Sequence, residues 1–210
     1  MQTNTIDLYL LHRDDESVSV GPLVDALNQE KTRGHIRSFG VSNWRVERIA
    51  EANQYAAQHG LNGLAVSSPS LSLAQPKKML FPGTLFADEA TRQWHRAHQL
   101  PLLAWSALAT GFMSGKFKPD DTSDENVTQV YYSEENFERL RRAQILARRK
   151  NATSAQIGLA YVLQQAFPVS ALIGSTTMSN LESALGTLNV KLKLEEMDFL
   201  DLNIQEGREI

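Results

Sequence analysis

The chain contains no cysteine. That excludes a disulfide framework, thiolate catalysis and cysteine-based zinc binding, and it fits a reducing, cytoplasmic setting. Five histidines without cysteine argue against a structural zinc site. Basic charge is not in excess either. Lys and Arg number 21 against 24 Asp and Glu, a net charge of −3, so the electrostatic footprint of a nucleic-acid binder is missing. No apolar run approaches the ~20 residues of a membrane span. The N-terminus, Met1-Gln2-Thr3-Asn4-Thr5, has no charged-then-apolar signal pattern. There is no internal repeat, low-complexity tract or linker. What remains is 42% hydrophobic and 21% charged over 210 residues, the composition of an ordinary globular chain.

The pattern along that chain alternates between strand and helix. Short apolar runs at Ile6–Leu11, Ile36–Val41, Leu64–Val66, Leu102–Trp105 and Val169–Ile173 read as strands. Between them lie amphipathic runs. One holds Leu23, Val24, Ala26 and Leu27 and stops before Gly34. A second holds Val46, Ile49, Asn53 and Ala56-Ala57 and stops at Gly60. Asp88 and Ser133 are expected to cap helices, and Thr153-Ser154-Ala155-Gln156 is a capping-box pattern. A further helix opens after Gly174-Ser175-Thr176-Thr177, and a last one starts near Glu195. The stretch from Ser106 to Tyr132 shows no clear periodicity, which suits a functional or mobile loop.

Strands alternating with helices imply a parallel sheet with right-handed crossovers. Polar or Gly-containing clusters follow each strand: His12, Ser42-Asn43, Ser67-Ser68, Trp105-Ser106 and Gly174-Ser175. A (β/α) barrel places its chemistry at those strand ends, yet it requires eight strands where five can be found. From the dipeptide alone, Ser42-Asn43 reads as a helix cap before it reads as a site. His95 and His98, three apart on a helix, read as a solvated face and not as a metal pair. The basic residues Arg141-Arg142 and Arg148-Arg149-Lys150 read likewise as a solvated helix end.

Four runs together resemble the aldo-keto reductase family. They are Ile6-Asp7-Leu8-Tyr9-Leu10-Leu11-His12, Gly34 to Asn43, Ala104-Trp105-Ser106-Ala107-Leu108-Ala109-Thr110-Gly111-Phe112-Met113-Ser114-Gly115-Lys116, and Leu172-Ile173-Gly174-Ser175-Thr176-Thr177-Met178. The resemblance implies an α/β fold of the (β/α)8 barrel type, here incomplete, with about five βα units in one domain over residues 1–210. Ile6–Leu11 then corresponds to the fourth barrel strand. The segment that would supply the family's proton-donating Tyr, its Lys partner and an orienting Asp would precede Met1. The expected architecture is five parallel strands with Ile6–Leu11 at an exposed edge.

The resemblance also assigns roles. His12 corresponds to the active-site His that donates a hydrogen bond to the substrate carbonyl. Ser42 and Asn43 correspond to the pair on the nicotinamide carboxamide, with Ser68 where many members carry Gln. Trp105 corresponds to the ring stacked on the nicotinamide. Ser106, Leu108 and Gly111 belong to the turn along the pyrophosphate, and the loop to Lys116 is expected to fold over the cofactor. Gly174, Ser175 and Thr176 belong to the stretch holding the adenosine phosphate, followed by Asn180. Ser183-Ala184 stand where the family carries Glu-Asn on the adenine, and no Arg faces a 2′-phosphate, so both NADP and NAD stay open as cofactor. The strand ends after residues 41, 105 and 173 are expected to line one continuous groove.

Three functions fit these motifs. One is an NAD(P)H-dependent reductase of a small aldehyde or ketone. A second is a non-catalytic nucleotide-binding or regulatory member of the family. The third is a truncated chain without activity. None involves nucleic acid or a membrane.

Overall fold

A computed structural model describes residues 3–204. Five parallel strands form one sheet in strictly sequential order: β1 (Ile6–Leu11), β2 (Ile36–Ser42), β3 (Ser67–Ser68), β4 (Leu102–Ala104) and β5 (Val169–Ala171). Among the described residues, β1 and β5 are therefore the two terminal strands. Leu8 and Tyr9 on β1 are about 40% exposed, the signature of an unpaired apolar edge. No helix of the described residues is long and apolar enough to cross a membrane.

Helices α1 (Val20–Thr32) and α2 (Val46–Gln58) cover the β1–β2 end. The apolar faces of α1 and α2 meet Ile36, Phe39 and Val41 of β2 in one core, with Val24 and Ile49 at its centre. Burying each such side chain contributes roughly 1.5–3 kcal/mol. A separate, larger core lies under β4 and β5. It joins Leu102 and Ala104 to α4 (Glu125–Tyr131), α5 (Glu134–Arg149), α6 (Ser154–Leu163) and α8 (Leu194–Leu200). Helix α3 (Glu89–His98) precedes β4, and α7 (Met178–Gly186) follows β5 without a single buried residue.

The expected caps form where sequence places them. Asp88 and Ser133 accept N–H bonds from Thr91 and Asn136, and Thr177, at the expected helix start, accepts that of Asn180. Thr153 and Gln156 close a reciprocal capping box. Five expectations are corrected. The Leu64–Val66 run carries two bonds to β2, but pairing with both neighbours occurs only at Ser67–Ser68, where Ser67 also reaches the carbonyl of Pro101. The stretch without periodicity contains α4, whose seven residues are too few to display a helical period, capped by Asp124. Ser42 and Asn43 do not cap α2. Its N-cap is Arg45, without a side-chain bond, because both residues are bonded elsewhere. His95 is fully buried, with Nδ1 on the carbonyl of Leu100, and so departs from the solvated face on which His98 and Arg96 are exposed. Arg142 is buried and donates to the carbonyls of Phe199 and Ile204, and Lys150 pairs with Glu196 at 2.7 Å, so both anchor α8.

Candidate nucleotide-binding site

A cavity of about 580 Å³ opens at the carboxyl ends of β4 and β5. Ser106, Leu108 and Gly111 line one wall, and Gly174, Ser175 and Asn180 line the other. The first wall is a compact turn. Ser106, Ala109, Thr110 and Gly111 all have positive φ, from 51° to 85°. That sequence of left-handed residues strains the three that carry a Cβ. Hydrogen bonds within the turn hold it, including Ala109 N–H to the Ser106 carbonyl at 2.7 Å and Thr110 N–H to Ser106 Oγ at 3.3 Å. The turn ends in a 3-10 segment, Phe112–Ser114, and Gly115 at φ 78° brings Lys116 back to the cavity.

Lys116 is the one charged side chain among the described lining residues. Its ammonium lies 4.6 Å from the Phe117 ring centroid and has no ion-pair partner among the described residues. The Ser175 hydroxyl and the Asn180 side-chain amide have no hydrogen-bond partner among the described residues either. A Cβ built on Gly174 would meet nothing within 4 Å. Leu159, Leu172 and Ile173 supply apolar surface, and Gln156 braces the far wall by donating to the Ser183 carbonyl at 2.9 Å. Thr187 lies in the same wall with its buried Oγ unpartnered. A cation, free polar groups and open space suit an anionic ligand with a flat or apolar part. Sequence reasoning reached Lys116 only as a loop end and missed Gln156 and Thr187. The recurring Gly111 and Gly115 around it were the available signal, since both positions need left-handed backbone.

The lining of this cavity does not include the residues at the other strand ends. His12, Ser42, Asn43, Ser68 and Trp105 lie outside the cavity lining, and so does Thr176, which is exposed beside it. The His12 side chain is exposed at the end of β1. Trp105 is half-buried and packs in neither core cluster, with its indole N–H buried and unpartnered. Ser42, Asn43 and Ser68 are buried and bonded to neighbouring strands. Among the described residues, no group of His, Asp and Glu is placed to hold a metal ion.

A parallel sheet with helical crossovers and a ligand-sized cavity at the carboxyl ends of its strands defines an α/β protein of the barrel type. A profile of the Aldo/keto reductase family matches residues 1–203, and the chain belongs to that family. It is 27% identical over 201 residues to the norsolorinic acid reductase stcV of Emericella nidulans, a match covering 94% of this chain and 48% of that protein. It is 27% identical over 213 residues to the aldo-keto reductase yakc [NADP(+)] of Schizosaccharomyces pombe, covering 97% of this chain and 56% of the relative. The crystal structure of the thermostable aldo-keto reductase Tm1743, solved with the inhibitor epalrestat, superposes with a TM-score of 0.71 at 21% identity, over 95% of this chain and 60% of that one, a likeness of fold. The chain spans about half the length of the curated relatives it matches.

Proposed function

We propose that residues 1–210 form one domain whose cavity holds the adenosine diphosphate half of NADP(H), within the chemistry of an aldo-keto reductase that reduces a small aldehyde or ketone to an alcohol. The observation that carries this is the Lys116 ammonium, without an ion-pair partner among the described residues, in a cavity without a carboxylate whose lining it shares with Ser175 and the open Gly174 backbone. Phosphate oxygens match that donor set. Asn180 stands where an arginine would select a 2′-phosphate, so NAD is the second candidate ligand. The bound dinucleotide would supply a hydride. His12 is the residue proposed to donate a hydrogen bond to the carbonyl oxygen as charge develops on it.

Expressed as these 210 residues, the chain is expected to bind the nucleotide without turning over a carbonyl. A positioned general acid contributes typically 10²–10⁴-fold. The tyrosines at hand are committed elsewhere. Tyr55, Tyr132 and Tyr161 donate to Asp25, the Asp121 carbonyl and Asp201, Tyr131 is buried in the core, and Tyr9 sits on the exposed edge of β1. The test follows NADPH fluorescence on titration and NADPH consumption with a reactive aromatic aldehyde. Binding without consumption is the expected result. Turnover abolished by His12→Ala would overturn the inactive reading, and absence of binding would overturn the cavity assignment.

A further inference from the structure

We infer that Ser42, Asn43 and Ser68 form a strut between strand ends, not a set of nicotinamide ligands, so that the nicotinamide end of a dinucleotide adds no affinity here. The second half of the inference rests on the cavity reading above. Asn43 is 6% exposed and sits at φ 60°, a left-handed conformation that Asn tolerates and that turns its side chain back into the fold. Its Nδ2 donates to the His12 carbonyl at 3.2 Å and to Ser42 Oγ at 2.9 Å, and its Oδ1 accepts the Leu85 N–H at 3.1 Å. Ser42 Oγ donates onward to the Ser68 carbonyl at 2.7 Å, and Ser68 Oγ to the Leu103 carbonyl at 2.8 Å.

Each side-chain proton of the three residues is thereby engaged, since a primary amide has two and a hydroxyl one. A carboxamide needs a donor for its oxygen and an acceptor for its N–H groups. The strut retains lone pairs and no proton, so it cannot serve both atoms. Turning Asn43 toward a ligand would strand the Leu85 N–H and leave the His12 carbonyl and Ser42 short of a bond in a buried place. The bonds instead tie the end of β1 to β2, β2 to β3, β3 to β4, and β2 to the segment before α3. The cavity at β4 and β5 has the opposite character, with unpartnered Ser175, Asn180 and Lys116 side chains.

Two measurements separate this from the cavity reading. The first is titration of the chain with NADPH and with 2′-phospho-ADP-ribose, which lacks only the nicotinamide. Dissociation constants within about threefold support the inference. NADPH binding tenfold tighter, with the gap erased in Asn43→Ala, overturns it. If neither nucleotide binds, the cavity reading falls, and the strut is judged on the second measurement. That is the exchange of the Asn43 side-chain amide protons in the wild-type chain by NMR, together with the melting temperature of Asn43→Ala. Slow exchange and a melting point lower by roughly 3–8 °C are expected. Fast exchange with an unchanged melting point overturns the strut. Slow exchange alone decides for it where the variant does not fold.

Discussion

At the carboxyl ends of β1, β2 and β3, buried serine and asparagine side chains bond strand to strand over a small core built from α1 and α2. At the ends of β4 and β5, over the larger core, a strained turn and an open loop enclose 580 Å³ lined by a cation and unpartnered polar groups. Both ends carry family motifs and similar residue types, Ser, Asn and Gly. Residue type therefore does not decide whether a strand end stabilises the fold or receives a ligand. What decides is whether a neighbouring backbone group lies within hydrogen-bond reach, because a buried polar group without a partner costs about 1–3 kcal/mol.

The largest test of this contrast is one substitution made at both ends. A methyl on Gly40 in β2 would meet the Val66 carbonyl and lie 2.6 Å from Val66 Cγ1, with backbone unable to yield. Gly40→Ala is expected to cost about 3 kcal/mol or more, or to leave no folded protein. Gly174→Ala, with open space around it, should stay within about 0.5 kcal/mol of wild type by urea unfolding and alter only nucleotide affinity. Equal stability of the two variants would remove the distinction.

Charge provides the next test. Lys116→Glu should weaken 2′-phospho-ADP-ribose binding by roughly 10–100-fold, with Lys116→Met intermediate and the effect shrinking at high salt. The melting temperature without ligand should not move. A variant that binds as well as wild type would detach Lys116 from the site.

A smaller effect is expected at the closed end. Ser68→Ala removes the bond from the buried Ser68 hydroxyl to the Leu103 carbonyl and should lower unfolding free energy by about 1–2 kcal/mol while leaving nucleotide affinity unchanged. Loss of affinity larger than loss of stability would transfer Ser68 to the binding site.

The smallest effect is a pH dependence common to both ends. Burial holds His95 below the usual histidine pKa, against the bond to the Leu100 carbonyl that raises it. The unfolded chain then binds more protons than the folded one as pH falls below about 6.5. Stability should be flat above that value and decline beneath it, toward the lowered folded pKa, read as the urea midpoint at several pH values. His95→Gln should flatten the decline; an unchanged slope would mean that other groups govern it.

Much of this organisation is legible in the sequence because it is local. Asp88, Ser133, Thr153 and Thr177 cap helices through bonds to residues three positions on, so the reading needs no knowledge of the fold. The apolar runs of β1 and β2 and the four family motifs are likewise contiguous. His95, Arg142 and Lys150 depart from the local pattern because the groups they pack or bond against, Phe167, Phe199 and Glu196, are distant along the chain and are brought up by tertiary packing. Helix α4 escaped because seven residues carry too little period.

The motif residues themselves divide along the same line. Sequence alone determined that Ser42, Asn43, Ser106 and Gly174 stand at the ends of strands, since hydrophobic periodicity and turn chemistry act over a few residues. Tertiary structure decided what each does there. Asn43 meets His12 and Leu85, which lie 31 and 42 residues away along the chain, and its amide is taken up by them. Ser175 and Asn180 meet no such group and face open space with Lys116, which the left-handed turn at Gly111–Gly115 carries back across the cavity. Hydrogen-bond partners at those separations follow from the path of the whole chain, and no local pattern encodes them.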